Sequence, residues 1–490
     1  MIGSFRGNAA ALAAAALALA GCSLAPEYHV PETAAPPAYK EIGDWKTAAP
    51  ADSVPKGEWW KVFGDPQLNA LEDRVAGANQ NLQAALARFE QARAALRIAS
   101  ADAAPQVQAN ASASGVRRPG TVADPVPKRN FADYALNATV SYEIDVWGRV
   151  RNSIEAAKDQ AQASEGDLAT ADLELRADLA GDYFALRGLD TQQRILDETV
   201  TAFADALALT GRRHEGGVQP IADVAQAQGQ LETAKTQSAD NHLRRQQLEH
   251  AIAILVGAVP AEFSLKPMPL DDRPPPPVEV ALPSSLIERR PDIAAAERRV
   301  AAANAEIGVA RAAFFPVFDL EGLIGAESAF PEKLFEAPSS LWSLGPTAAV
   351  YLFDGGRIAA MTDQARKVYD ETVADYRQSV LTANGEVEDN LIALHQLDRE
   401  IRTQSAAVKA TQAALDQSKL RYTAGIVTYI EVVDNENLAL AAQLSAADIE
   451  TRRMTSTVQL IKALGGGWEA GSGLDLALAV TRPDQQAMAP

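Results

Sequence analysis

The reactive side chains in this 490-residue sequence are few: five histidines, His29, His214, His242, His250 and His395, and one cysteine, Cys22. His242 and His250 lie eight residues apart on one predicted helix, but no third ligand is spaced to complete a zinc site with them. The chain contains no H-E-x-x-H, no G-x-S-x-G and no glycine-rich phosphate loop followed by Lys and Ser or Thr. A catalytic nucleophile needs a base beside it and a third group to orient the base. Without such a constellation the sequence predicts no catalysis, no metal and no cofactor. Charge narrows the field further. With 45 Lys and Arg against 64 Asp and Glu, the net charge of −19 is expected to repel nucleic acid and other polyphosphates.

The one cysteine can form neither an intrachain disulfide nor a cysteine cluster. Arg6 supplies a positive start, Ala9 to Ala20 form an apolar stretch too short to span a bilayer, and small residues precede Cys22. The run Leu-Ala-Gly-Cys resembles the lipobox of bacterial lipoproteins, in which the cysteine is acylated and becomes the mature N-terminus. The alternative is a signal peptide followed by an ordinary free thiol. The resemblance implies that residues 1–21 are removed and that Cys22 carries lipid. Ser23, standing where Asp would favour retention at the inner membrane, implies delivery to the outer membrane, facing the periplasm.

The remaining candidate residues come in two copies. The stretch YEIDVWGRVRNS at Tyr142–Ser153 is echoed by VYLFDGGRIAAM at Val350–Met361, so that Arg149 and Arg357 stand 208 apart. The same offset carries ALRGLD onto ALHQLD, RHEGGVQPIADV onto RYTAGIVTYIEV, and Gly257 onto Gly465. A shift held over more than a hundred residues means duplication of a structural unit. Upstream, with a small change of register, the segment 79–107 aligns with 289–317, ending on Pro105 and Pro316. Each repeat therefore reads as helix, proline stop, β-rich stretch, echoed phrase, and a long helical region with one glycine break. The repeats are placed at 66–257 and 284–466. A signal peptide at 1–21, an N-terminal extension at 22–65, a proline-rich link at 258–283 and a C-terminal tail at 467–490 complete the chain.

Apolar residues from Leu68 through Leu71, Val75, Leu82, Leu86 and Phe89 to Leu96 recur by threes, fours and sevens, which is one helical stripe. Near the C-terminus, Ile430, Asn437, Leu444, Thr451 and Val458 form one heptad series and Val433, Leu440, Ala447, Met454 and Ile461 another, predicting a left-handed coiled coil. No proline interrupts 149–210 or 357–422, so each is expected to be a rod of ~60 residues and ~90 Å. Between proline and echo, 106–115, 133–146, 316–327 and 342–353 largely alternate polar with small or apolar residues, predicting four strands. Strands of ~10 residues cross a bilayer when tilted.

Four strands cannot close a barrel, and an open edge in hydrocarbon leaves unsatisfied backbone at several kcal/mol per group. Either the strands sit in water or several chains share one barrel; three chains would supply twelve strands. On the second reading the echoed phrases mark strand-to-helix turns at the membrane interface. Asp145, Gly148 and Arg149 make one, and Asp354, Gly355, Gly356 and Arg357 the other, with Trp147 and Tyr351 as aromatic anchors. On the first they are ordinary turns of a soluble domain. The predicted class is an α+β membrane protein: a long helical coiled-coil barrel plus four strands per chain.

The segments EWWKVFGDPQLNALEDRVAGANQNLQAALARFEQARAAL and LPSSLIERRPDIAAAERRVAAANAEIGVARAAFFPVFDLEG resemble the signatures of the outer membrane factor family. These are the TolC-like channels of tripartite efflux systems, and the likeness is to their NodT-type lipoprotein branch, over Cys22 to about Gly466. The resemblance implies a homotrimer whose twelve-stranded barrel crosses the outer membrane and whose helices cross the periplasm. It further implies docking of a periplasmic adaptor, and through it an inner-membrane pump, at the glycine breaks: Gly217, Val218, Gly425 and Ile426. The alternative for these glycines is that they only make the helix-helix turn. Glu431 and Asp434 match an acidic gate, although Val427 stands where a close relative's pattern has Asp. The function implied is export of small toxic compounds. Export of a polypeptide through a type I secretion duct, or a structural coiled-coil lipoprotein without a pore, are the alternatives.

Overall fold

The computed structural model describes residues 23–33, 36, 38–41, 57–117, 119, 130–270, 274–278 and 289–466. Cys22, the leader, the tail after residue 466 and part of the proline-rich link lie outside the described residues. The elements in order are α1 (Pro66–Ala78), α2 (Gln80–Ala101), β1 (Gln106–Arg117), β2 (Asn130–Glu143), α3 (Arg149–Glu215), α4 (Ile221–Leu255), α5 (Pro291–Ala312), β3 (Val317–Ser328), β4 (Ser340–Ala349), α6 (Arg357–Thr423) and α7 (Tyr429–Ala463). The lengths recur: α2 and α5 have 22 residues each, α3 and α6 have 67, and α4 and α7 have 35. At 1.5 Å per residue the two longest are rods of ~100 Å. The chain forms two compact units.

The first unit comprises residues up to 32, 88–164 and 295–377 and contains the sheet, one antiparallel layer in the order β1-β2-β3-β4. Register fixes which side chains share a face. Val107 pairs with Val140, Val140 with Gly322 and Gly322 with Leu344; the next row runs Ala109, Ala138, Ile324, Trp342. On the opposite face the rows run Gln106, Ser141, Glu321, Gly345 and Gln108, Thr139, Leu323, Ser343. Nothing among the described residues covers the apolar face, where Trp342 is 78 % exposed and Ile324 67 %, and the polar face is exposed as well. β4 ends at Ala349, short of the predicted Phe353, because Ala349 pairs with Val317, the first residue of β3, and no partner strand remains beyond it. Pro346, which lacks an N–H, stands in an edge strand, where such a gap is tolerated.

The second unit comprises 33–87, 165–294 and residues from 378 onward. Its core joins Trp59, Trp60, Leu68, Leu71 and Val75 to Tyr183, Phe184 and Leu186 of α3, Ile252 of α4, Val387 and Leu391 of α6, and Val458 and Ile461 of α7. Asp65 starts α1 by accepting from the N–H groups of Gln67 (2.8 Å) and Leu68 (3.1 Å). The stripe from Leu68 to Leu96 is divided between two helices, since the backbone at Asn79 is extended. Asn79 Oδ1 accepts from Asn81 N (2.9 Å) and Leu82 N (3.0 Å), starting α2, and Nδ2 donates to the Leu255 carbonyl (2.8 Å). The apolar spacing continues across this one-residue break, so periodicity alone could not reveal it.

In α7 the Val433 series lies inward as expected, with Val433, Ala447 and Ile461 buried, whereas Ile430 and Asn437 of the other series face outward and Glu436 takes the inner place. The described part of the link is clamped. Arg187 pairs with Asp190 (3.0 Å), Arg245 with Asp190 (2.7 Å) and Glu249 (2.6 Å), and these arginines donate to the carbonyls of Lys266 (3.0 Å) and Leu265 (2.6 Å). Each buried charge is thereby paired, which offsets its desolvation.

Glu72 is paired less closely. It is fully buried (0 % exposed), with a carboxylate oxygen 3.6 Å from the Arg176 guanidinium, beyond hydrogen-bonding reach. Burial, opposed by Arg176, pushes its carboxyl up to about 9. The unfolded carboxyl ionises near 4.5, so between these values the folded state keeps a proton that the unfolded state has lost. Its contribution to stability therefore falls as pH rises across that window. Glu72→Gln is expected to raise the melting temperature by several degrees at about pH 8 and by much less at about pH 5, measured by circular dichroism of the detergent-solubilised protein.

Candidate functional site

The echoed phrases form two strand-to-helix turns of one design. Asp145 Oδ1 accepts from Val150 N (3.2 Å) and Oδ2 from Arg151 N (2.9 Å). Asp354 accepts from Ile358 N (2.8 Å) and Gly356 N (2.9 Å), and these N–H groups, Ile358 first, lower its carboxyl below the usual range. Each aspartate thus satisfies orphan donors at the start of a 67-residue helix. Gly148, Gly355 and Gly356 turn the chain with φ of 76°, 68° and 89°.

The arginines differ between copies. Arg149 forks onto Glu143 (2.8 and 2.5 Å), whereas Arg357 lies 5.1 Å over the Tyr351 ring, which stands at the equivalent position. Trp147 is half-buried, stacked 4.6 Å from Phe315 and donating to the Pro316 carbonyl (2.8 Å), so it packs inside the unit and does not stand free as an anchor. Tyr351, Leu352 and Phe353 are exposed.

The glycine breaks are two copies of one helix terminus. Gly217 N donates to the His214 carbonyl (2.8 Å) and Val218 N to the Arg213 carbonyl (2.9 Å); Gly425 N donates to Tyr422 (3.0 Å) and Ile426 N to Arg421 (2.9 Å). With φ of 74° at Gly217 and 76° at Gly425, both are Schellman motifs that only glycine adopts without strain. In that motif the residue after the glycine commonly packs back onto its own helix. Here Val218 is 78 % exposed and Ile426 67 %, with Ile221 and Ile430 exposed beside them. Each tip thus displays an apolar side chain that its own turn does not use.

Glu431 pairs with Arg421 across the second tip (2.8 Å). Asp434 is exposed and has no partner among the described residues. Sequence reasoning missed Glu436, buried and paired with Lys419 (3.1 Å), its carboxyl raised by burial against the pull of that lysine. It also missed the tie between the two tips. Gln219 Nε2 donates to the Tyr422 hydroxyl (2.7 Å), the hydroxyl donates to Gln219 Oε1 (2.9 Å), and Arg213 lies 4.8 Å over the Tyr422 ring. The available signal was the aromatic pair Tyr422 and Tyr429 flanking Gly425, whose rings meet 5.6 Å apart. Among the described residues no three His, Cys, Asp or Glu side chains gather around a metal-sized space, and no helix is long and apolar enough to cross a membrane.

A family model described as outer membrane efflux protein matches residues 71–258 and again 282–466. Outer membrane protein OprJ of Pseudomonas aeruginosa is 33 % identical over 466 residues, 94 % of this chain and 96 % of that one. The cation efflux system protein CusC of Escherichia coli is 30 % identical over 454 residues, 93 % of this chain and 97 % of that one. Among solved structures, the CmeC outer membrane channel of Campylobacter jejuni superposes with a TM-score of 0.86 at 25 % identity, covering 95 % of this chain and all of that one.

Tyr422→Phe deletes the hydroxyl that both arms of the tie use and leaves Gln219 without that partner, at a cost of ~1 kcal/mol. Amide exchange in peptides spanning 214–220 and 421–428 is expected to quicken together, with exchange in α1 unchanged, by mass spectrometry of the full-length protein.

Proposed function

The chain belongs to the outer membrane efflux protein family, and we propose that three copies of it form the exit duct of a tripartite pump. It is an outer-membrane protein extending into the periplasm, and its family is one of channels, not enzymes. The observation that carries the trimer is the sheet. Its apolar face is exposed in continuous rows, and β1 and β4 each leave one edge unpaired. In hydrocarbon the rows are favourable and the edges are not. Closing β4 of one copy onto β1 of the next removes the edges, and three copies give twelve strands, a size at which outer-membrane barrels close. A periplasmic spacer rod would have no use for such a face.

The rest of the reading follows from the other end of the rods. Gly217, Val218, Gly425 and Ile426 receive a periplasmic adaptor, which brings the inner-membrane pump; the exposed valine and isoleucine at otherwise satisfied turns support this. Asp434, unpaired and exposed, and Glu431, already balanced by Arg421, are the acidic gate, with Asp434 carrying the greater part of the uncompensated charge. Cys22 carries lipid and adds a second hold on the outer membrane. Cargo is small toxic compounds, a reading supported by relatives named for antibiotic and toluene efflux.

Adjacent residues on opposite faces test the barrel. Ile324→Arg puts a charge on the lipid face, at ~2–4 kcal/mol per copy, and is expected to abolish the heat-resistant oligomer in outer-membrane extracts. Leu323→Arg, facing the lumen, should leave it intact; equal damage from both would refute the lipid face. For the gate, Asp434→Ala is expected to lower cation selectivity in planar bilayers, read as the reversal potential in a salt gradient, and an unchanged potential would remove Asp434 from that role.

A further inference from the structure

Residues 23–32 belong to no helix or strand, yet five of them hydrogen-bond to the helices beside them. Ser23 Oγ donates to Asn152 Oδ1 of α3 (2.8 Å). The Leu24 carbonyl accepts from Arg311 (3.1 Å) and the Pro26 carbonyl from Asn304 (2.8 Å), while the Tyr28 hydroxyl donates to the Glu297 carboxylate. The Glu32 carbonyl accepts from Arg377 of α6 (3.3 Å). Glu297, Asn304 and Arg311 recur every seven residues on α5, which places them in one row on one face. Gly308 lies in the same row, and a Cβ there would stand 2.8 Å from Ala25 and 2.3 Å from Asn152 Nδ2. The row reads as a seat: one glycine to admit the segment, three polar side chains to fix it.

The duplicated helix supplies the control. With Pro105 set on Pro316, which also superposes the ends of α2 and α5, the positions matching Glu297, Asn304, Gly308 and Arg311 are Leu86, Arg93, Arg97 and Ser100. No glycine remains in α2 to admit a segment, and its polar side chains turn elsewhere: Arg93 pairs with Glu90 (2.9 Å), Ser100 donates to the Leu96 carbonyl (2.7 Å) and Arg97 is exposed. A chain with two similar repeats has one N-terminal segment, and one copy of the helix carries a row that fits it.

We propose that residues 23–32 are a clasp, seated on Glu297, Asn304, Gly308 and Arg311, that fastens α3 of the first repeat to α5 and α6 of the second within the sheet-bearing unit. The clasp goes beyond the channel reading: it requires neither acylation of Cys22 nor a trimer. If both hold, it sets where the lipid-bearing end meets the protein.

The test is a double-mutant cycle on full-length protein in detergent. Asn304→Ala with Arg311→Ala removes two of the side chains that hold the segment and leaves the contact of Gly308 with Asn152 in place. The second arm replaces residues 24–30 by an equal length of Gly and Ser, keeping Cys22. Thermolysin cuts within 23–32, mapped by mass spectrometry, are expected to come at least roughly ten-fold faster in the double variant, because cleavage tracks local opening. Each arm alone is expected to lower the melting temperature by several degrees, and the two together by no more than one alone. Cleavage as slow as in the parent, a clasp-replaced protein that melts like the parent, or full additivity of the two losses would each overturn the proposal.

Discussion

Every backbone N–H and C=O placed in hydrocarbon must find a partner within protein, since no water is there to take its place. On the proposed trimer, that requirement explains why a sheet of only four strands leaves its apolar residues exposed on one face. In water, Val107, Leu136, Ile324, Trp342 and Leu344 on one uncovered face would be a large aggregation liability. In lipid the same face is favourable, and the difficulty moves to the edges of β1 and β4. In the proposed barrel the polar rows, with Gln106, Gln108, Ser141 and Glu321, face the only remaining aqueous space, the interior. Alternation at a period of two residues thus separates lipid from passage with no added wall.

Leaving the sheet is a second problem, because each long helix begins with four unsatisfied N–H groups. Asp145 and Asp354 accept from those groups, and glycine with positive φ turns the chain into the rod. The two copies share aspartate and glycine and differ in the arginine's partner, a carboxylate in one and a ring in the other. What recurs is the part that backbone chemistry demands. What varies is the part that only needs some favourable neighbour.

The legible part of the fold was periodic. Strands showed as alternation, rods as long proline-free stretches, and duplication as a fixed offset that carried even the glycine termini from one half to the other. The illegible part was long-range. Nothing around Asn79 distinguishes a helix break from a helix, because the residue is held by the Leu255 carbonyl, far away in sequence. Trp147 resembles an interface anchor until Phe315 and the Pro316 carbonyl are found beside it. The tie between Gln219 and Tyr422 joins residues 203 apart, and the clasp joins Pro26 to Asn304 across 278. Heptad reading of α7 placed the Val433 series correctly and missed the outward drift of Ile430 and Asn437, which reflects packing against α6 near the tip.

The Schellman termini at Gly217 and Gly425 hold their shape through main-chain hydrogen bonds, and the side chains of Val218 and Ile426 add nothing to them. Substitution at those two positions therefore leaves folding almost untouched while changing the chemistry that each turn presents. Under the proposed docking, lineages of this channel are free to exchange one pump for another by single steps, each intermediate as sound as its parent, so specificity can evolve without passing through a poorly folded ancestor.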